Sequence, residues 1–214
     1  MLVLASNSPR RKQLLQLGGW EFQVVAADVD ENPHPGEGLR AYVLRLAKEK
    51  AQVGAQNAPG AEVVVAADTT VVDGVAFLGK PVDAAEAAAM LRRLRARRHQ
   101  VYTGLVALRR ADGLILSDVC VTNVFMRDYS EAEIKAYIAT GDPLDKAGAY
   151  AIQHTGFDPV EKIEGCFANV VGLPLCLLSR LLAKLGLPPP AKILEPYLKD
   201  EGQPCLITNQ VLQG

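Results

Sequence analysis

The sequence has little net charge and few aromatic residues. Its formal net charge is −1 over 214 residues, and aromatic residues make up only 6% of them. Overall charge does not draw a nearly neutral chain to nucleic acid or to an anionic membrane, so any anion binding must come from local clusters. No apolar run reaches the roughly 18 residues that a membrane-spanning helix needs.

Cysteine is scarce and widely spaced. Cys120, Cys166, Cys176 and Cys205 form no C-x-x-C pair and have no partnering histidines. This spacing argues against a structural zinc site and against a cysteine nucleophile. The chain opens on a strand-like pattern and not on a signal peptide, so we expect a cytoplasmic protein with reduced thiols.

Common signatures of nucleotide binding and hydrolysis are absent as well. The sequence contains no Walker A loop, no G-x-G-x-x-G, no H-E-x-x-H and no G-x-S-x-G. Those patterns mark P-loop proteins, dinucleotide-binding folds, zinc proteases and serine hydrolases, respectively.

Apolar periodicity predicts alternating strands and helices, and therefore an α/β fold whose hairpins make the sheet mixed. Residues 191–214 show no clear periodicity, so we expect a single domain over 1–190 followed by an accessory tail. Strands are predicted at 2–5, 22–26, 63–67, 71–72, 75–78, 101–108, 114–126 and 149–152, and helices after Ser8, Gly38, Asp83 and Ser130 and around 177–185.

The segment from Ser6 to Arg11 is a candidate phosphate-binding loop. It joins the first predicted strand to a helix that Ser8 would cap, so backbone N–H groups and the positive helix end face the loop. Arg10 and Arg11 add guanidinium groups, which bind phosphate oxygens in pairs. The alternative is an ordinary helix cap followed by surface arginines.

Carboxylates form a second group of candidates. Asp68 follows the buried strand 63–67, and open α/β sheets bind ligands at the carboxyl ends of strands. Asp28, Asp30 and Glu31 lie in an acidic loop, and such oxygen ligands suit Mg²⁺ or Mn²⁺. The alternatives are a turn aspartate and a solvated loop.

Three lysines could offset phosphate charge, although each taken alone is more often exposed. Lys50 falls on the apolar stripe of the helix that begins near Leu39, so it either reaches solvent at the helix end or points into a site. Lys80 is fixed between a glycine and a proline, and Lys146 lies in a polar loop.

The arginine-rich run from Arg92 to Arg98 has two interpretations. It could contact nucleic acid. It is also what the solvated C-terminal end of a helix looks like, where basic side chains are favourable. Because no aromatic residues are interleaved to stack on bases, we favour the helix end.

Several separated motifs, taken in order, resemble the Maf family of nucleotide pyrophosphatases. The resemblance runs from about Leu2 to Leu185. It rests on the segments 5–11, 28–31, 46–51, 67–69, 79–81, 99–104, 145–153 and 169–174.

The resemblance implies a reaction in which a nucleoside triphosphate and water give the monophosphate and pyrophosphate. It implies an elongated mixed sheet with two lobes around a deep cleft, like that of inosine triphosphatases, a divalent cation (Mg²⁺ or Mn²⁺) and a homodimer. It assigns the catalytic proton acceptor to Asp68, although the sequence leaves open whether Asp68 is base, metal ligand or both. In the site so implied, Glu31 joins Asp68 as metal ligand, Lys50 and Lys80 offset charge, and Ser6, Ser8, Arg10, Arg11 and Lys146 bind phosphate.

Substrate preference is implied by three positions. Arg10, Thr69 and Gln153 match the branch of the family that takes dTTP and UTP, and a sister branch that takes 7-methyl-GTP differs at all three. Two alternatives stay open: membership of that sister branch, and a non-catalytic nucleotide-binding regulator of cell division.

Overall fold

The computed structural model describes residues 1–74 and 76–192. Strands in this part are β1 (Leu2–Ala5), β2 (Phe22–Val25), β3 (Val63–Asp73), β4 (Ala76–Leu78), β5 (Arg98–Arg109), β6 (Ile115–Met126) and β7 (Val160–Glu164). The helices are α1 (Pro9–Leu17), α2 (Leu39–Asn57), α3 (Ala84–Leu94), α4 (Glu131–Ala139), α5 (Phe167–Val171) and α6 (Leu175–Lys184). Short 3₁₀ turns cover Asp142–Asp145 and Ala147–Ala149.

The strands form one mixed sheet in the order β2-β1-β3-β5-β6-β7, with β4 beside β3. β1 runs parallel to both β2 and β3, whereas β4 is antiparallel to β3 and β7 is antiparallel to β6. The predicted α/β class with a mixed sheet is therefore confirmed. None of the helices in the described ranges is both long and apolar enough to span a membrane.

The chain divides into two compact units. Unit 1 contains residues 1–68, 103–120 and the described part of the segment from 166 onward, and unit 2 contains 69–102 and 121–165. The boundaries after Asp68, Tyr102 and Cys120 fall inside β3, β5 and β6.

In unit 1, small residues bring α2 close to the sheet. A Cβ at Gly54 would lie 2.5 Å from the Ala5 side chain, and a Cβ at Gly104 would lie 2.3 Å from the Val43 carbonyl oxygen. Only glycine permits so close a backbone approach. This close packing sets the distance between α2 and the sheet, and therefore the position of Lys50, which lies on the same helix.

Three aromatic rings pack together within unit 2, beside buried aliphatic side chains such as Leu91 and Ile134. Tyr137 stacks on Phe157 with centroids 4.3 Å apart, and Tyr129 packs on Phe157 from a centroid distance of 4.8 Å. The helix that carries Tyr137 begins with a capping box in which Ser130 and Glu133 bind each other's backbone N–H, as the sequence predicts.

The predicted helix starts at Ser8 and Asp83 are also confirmed. Ser8 accepts a hydrogen bond from the Arg11 N–H, and Asp83 accepts one from the Glu86 N–H. Such caps depend on a few neighbouring residues, so the sequence alone carries the signal.

Two predictions about the strands are wrong. The strand that starts at Val63 does not stop before Asp68 but continues to Asp73, because Thr69 to Val72 are β-branched and Val71 to Asp73 pair with β4. The predicted strand 149–152 does not form, because Gly148 (φ 69°) and Ala149 (φ 60°) turn the backbone into the left-handed region.

Periodicity did not predict β7 or α5, which are only five residues long each. Most of the predicted accessory tail, residues 193–214, lies outside the described residues, as does Val75 at the predicted hairpin.

Candidate active site

The loop from Ser6 to Arg11 is organised by its own serines. Ser6 is buried, and its hydroxyl accepts a hydrogen bond from the Ser8 N–H at 3.2 Å. The Ser8 hydroxyl caps α1 by accepting from the Arg11 N–H at 3.4 Å. Because a hydroxyl that accepts still carries a proton to donate, both serines can bind an anionic oxygen.

Arg11 is anchored within unit 1. Its Nε donates to the Gly172 carbonyl oxygen at 2.8 Å, and Nη1 donates to the Ser6 hydroxyl at 3.4 Å. Burial lowers the pKa of Arg11, while the negative charges of Asp68 and Glu31 oppose that shift. The guanidinium therefore lies within electrostatic reach of both carboxylates. Gly172 caps α5, the short helix that periodicity missed.

Lys50 joins the two predicted carboxylates. Its Nζ donates to Glu31 Oε1 at 2.7 Å and to Asp68 Oδ1 at 2.6 Å. Lys50 and Asp68 are buried, whereas the Glu31 side chain is 47% exposed. Of the two roles that the sequence allowed for Lys50, the structure shows the second: it points into a charged cluster.

Asp68 lies within β3 and not at its end. Residues on both sides of it belong to the strand, and its carboxylate is held by the ammonium group of Lys50. Position 68 is also the last residue of unit 1 before the chain enters unit 2. The strand-end argument was therefore wrong, although Asp68 does join the cluster.

Tyr42 belongs to the same cluster, and sequence reasoning treated it only as part of an apolar stripe. Its hydroxyl donates to the backbone carbonyl oxygen of Glu31 at 2.8 Å. Burial raises the pKa of Tyr42 to about 12, and the charges of Asp68 and Glu31 add to the shift. The available signal was spacing, since Tyr42 and Lys50 are eight residues apart on α2 and share a helix face.

Unit 2 holds the other predicted lysines. Lys80 is exposed after β4, and the neighbouring Gly79 carbonyl accepts from the Gly148 N–H at 3.0 Å. Lys146 is buried and donates to the Asp142 carbonyl, Asp142 Oδ1 and Asp145 Oδ1 at 2.6, 2.8 and 2.6 Å. The three hydrogens of Lys146 thus serve its own turn. Its predicted phosphate contact stays a prediction.

The three predicted specificity residues are divided between the units. Arg10 lies at the start of α1 in unit 1, and its charge contributes to the lowered pKa of Arg11. Thr69 and Gln153 are partly buried residues of unit 2. Their roles stay predictions.

The arginine-rich run pairs with carboxylates of unit 2. Arg92 and Arg95 bind Glu131 at 2.9 and 3.1 Å, and Arg93 binds Asp73 at 2.7 Å. These pairs partly neutralise the run, in keeping with the interpretation as a helix end.

Glu31 and Asp68 are the carboxylates of this cluster, and their oxygens are donors of the kind that a divalent cation prefers. Across 1–74 and 76–192, no group of three or more His, Cys, Asp or Glu side chains could hold a metal ion. Mg²⁺ is commonly held by one or two carboxylates together with substrate phosphates and water. The donor set therefore fits a cation that binds together with a phosphorylated ligand.

The fold and this cluster define an α/β protein in which Lys50 pairs with one buried and one half-exposed carboxylate, within electrostatic reach of Arg11. A family model described as "Maf-like protein" matches residues 1–185. The chain belongs to this family.

Curated relatives are similar over most of their length. A dTTP/UTP pyrophosphatase of Myxococcus xanthus is 53% identical over 190 residues, 89% of this chain and 95% of the relative. One of Anaeromyxobacter dehalogenans is 50% identical (88% and 96% covered), and one of Geobacter sulfurreducens is 47% identical (86% and 96% covered).

Proposed function

We propose that this protein is a nucleoside triphosphate pyrophosphatase that hydrolyses dTTP and UTP to the monophosphate and pyrophosphate. The observation that carries the proposal is the cluster in which Lys50 binds Asp68 and Glu31, within electrostatic reach of Arg11. The names of the three relatives support the same activity, and each covers at least 86% of this chain.

In this proposal the loop from Ser6 to Arg11 binds the triphosphate. Backbone N–H groups at the start of α1, the hydroxyls of Ser6 and Ser8, and the guanidinium of Arg11 all donate to phosphate oxygens. The anchoring of Arg11 by Gly172 and Ser6 supports this role, because a fixed donor loses little conformational entropy when the ligand binds.

Water attacks the α-phosphorus, the bond from that phosphorus to the bridging oxygen breaks, and pyrophosphate leaves. Asp68 accepts the proton that the attacking water loses. Lys50 holds the Asp68 carboxylate at 2.6 Å and fixes its position. Lys50 and Lys80 offset negative charge, and such reactions depend mainly on positioning and charge stabilisation.

Glu31 and Asp68 would hold the divalent cation, Mg²⁺ or Mn²⁺. When bound, such a cation neutralises phosphate oxygens and polarises the phosphoryl group.

Substrate choice falls to Arg10, Thr69 and Gln153 in this proposal. These three residues match the dTTP/UTP branch, and the names of the relatives agree with that choice. We further propose a cytoplasmic homodimer that binds neither nucleic acid nor membrane.

The test is a panel of canonical and modified nucleoside triphosphates, 7-methyl-GTP included, with pyrophosphate and orthophosphate measured separately. We expect pyrophosphate from dTTP and UTP in the presence of Mg²⁺ or Mn²⁺. Orthophosphate as the main product would overturn attack at the α-phosphorus. Fast hydrolysis of 7-methyl-GTP alone would overturn the branch, and nucleotide binding without turnover would favour the regulator.

A further inference from the structure

The loop that carries Glu31 has no regular structure of its own. It occupies the stretch between β2 and α2, and the Glu31 side chain is 47% exposed. A carboxylate on such a loop samples many positions unless its backbone is held, and each lost position costs conformational entropy. The contacts that hold this loop therefore bear on the geometry of the whole cluster.

Two side chains of α2 hold consecutive carbonyl groups of the loop. The Tyr42 hydroxyl donates to the Glu31 carbonyl at 2.8 Å, and Arg45 Nη2 donates to the Asn32 carbonyl at 3.0 Å. Tyr42 and Arg45 are three residues apart, so they share one helix face. Two successive peptide groups, Glu31–Asn32 and Asn32–Pro33, are thus fixed to one helix.

Arg45 is itself held in place by Glu37 at the far end of the loop. Arg45 Nε and Nη2 donate to the two oxygens of Glu37 at 2.7 and 2.9 Å. Only 17% of the Arg45 side chain and 9% of the Glu37 side chain are exposed. This two-point pairing is stronger and more directional than an ordinary surface ion pair. The hydrogen bond from Arg45 lowers the pKa of Glu37 to about 2.

Helix α2 therefore holds Glu31 twice. Tyr42 binds its backbone carbonyl, and Lys50, two turns further along the same helix, binds its carboxylate at 2.7 Å. We propose that Tyr42 and Arg45 are positioning residues that fix Glu31 beside Asp68 for the reaction. This inference rests on the proposed function and assigns neither residue a contact with substrate.

The test uses Tyr42→Phe and Arg45→Met in the full chain, with Arg40→Met as matched control. Arg40 also lies on α2 and pairs with Asp118 at 3.4 Å, but both side chains are more than half exposed. We expect kcat for dTTP to fall roughly tenfold in each test variant, as for residues that orient a metal ligand. We expect KM to change less than about twofold, because phosphate binding by the loop 6–11 is untouched.

Hydrogen exchange provides a readout that does not depend on activity. We expect faster exchange of the Asn32 and His34 amides, which bind Asp30 and Glu37, in Arg45→Met but not in Arg40→Met. Arg45→Lys keeps a positive charge beside Glu37 but lacks the guanidinium group that binds both Glu37 and the Asn32 carbonyl. Its kcat should therefore lie between those of Arg45→Met and the wild-type protein.

Several results would overturn the inference. One is wild-type kcat in Tyr42→Phe and Arg45→Met while Asp68→Asn is inactive. Another is a loss of kcat in Arg40→Met as large as in Arg45→Met. If the wild-type protein releases no pyrophosphate from any nucleotide, the proposed function fails. Unchanged hydrogen exchange of the Asn32 and His34 amides in Arg45→Met would separately show that Arg45 does not hold the loop.

Discussion

Two buried lysines, one in each unit, make the same kind of contact for different purposes. Lys50 and Lys146 each donate to two carboxylates at distances between 2.6 and 2.8 Å. The partners of Lys146 are one and four residues away, whereas those of Lys50 are 18 and 19 residues away.

The separation in sequence explains the difference. A lysine that binds carboxylates of its own turn stabilises that turn and uses its hydrogens locally. Lys50 instead connects the acidic loop, α2 and β3. Its ion pairs with Glu31 and Asp68 therefore form only when these three segments are folded together. Among the described residues Lys50 binds these two carboxylates with two of its three ammonium hydrogens.

The largest effect is expected from Asp68→Asn. The amide cannot accept the proton of the attacking water, so pyrophosphate release should fall at least about 100-fold. The variant should still fold, because the asparagine oxygen can accept from Lys50. Pyrophosphate release measures the activity, and thermal unfolding measures the stability. Near-normal pyrophosphate release would show that Asp68 is not the proton acceptor.

Lys50→Met and Lys146→Met compare the two lysines directly. Lys50→Met leaves two carboxylates without their common cation and should cost about 3 kcal/mol of stability together with most of kcat. Lys146→Met should lower stability by about 1 kcal/mol, since Asp142 and Asp145 stay partly in water, and should keep most of kcat because Lys146 binds its own turn. Urea unfolding and steady-state kinetics test this; equal losses of kcat would contradict the distinction.

Acid should act on unit 2 through His99. This buried ring shares a hydrogen bond of 2.7 Å with the Tyr150 hydroxyl, and burial lowers the pKa of His99 from 6.5 to about 4. Between these values the unfolded chain binds a proton that the folded protein does not, so stability falls as pH falls from about 6.5 to 4.

By pH 4, His99 should have lowered the free energy of unfolding by about 3 kcal/mol relative to neutral pH. Urea unfolding of the wild-type protein and of His99→Gln at several pH values separates the effect of His99 on stability from that of the carboxylates. The same pH slope in both proteins would show that His99 takes no part.

The smallest effect is expected from Tyr137→Phe. Its hydroxyl donates to Asp142 Oδ2 at 2.6 Å and accepts from the Ala151 N–H at 3.0 Å, so it supports the turn of Lys146. We expect a loss of about 1 kcal/mol in urea unfolding with kcat unchanged. A fall in kcat would place this turn closer to the chemistry than the local contacts of Lys146 indicate.

Much of the cluster could be predicted from sequence because its members lie in recognisable motifs. The loop at Ser6, the stripe position of Lys50 and the position of Asp68 after an apolar run were each visible. Tyr42 and Arg45 were not recognised, because their role depends on where an irregular loop returns to α2 and no periodicity encodes that path.

The sequence by itself determined the helix caps, the mixed α/β class and the family, because these depend on neighbouring residues or on motifs in fixed order. Only the tertiary structure decided that β3 runs through Asp68 and that Lys50 joins Glu31 to Asp68. The physical reason is that strand pairing and buried ion pairs form between residues far apart in the chain. Their geometry is set by how α2 packs on the sheet at Gly54 and Gly104.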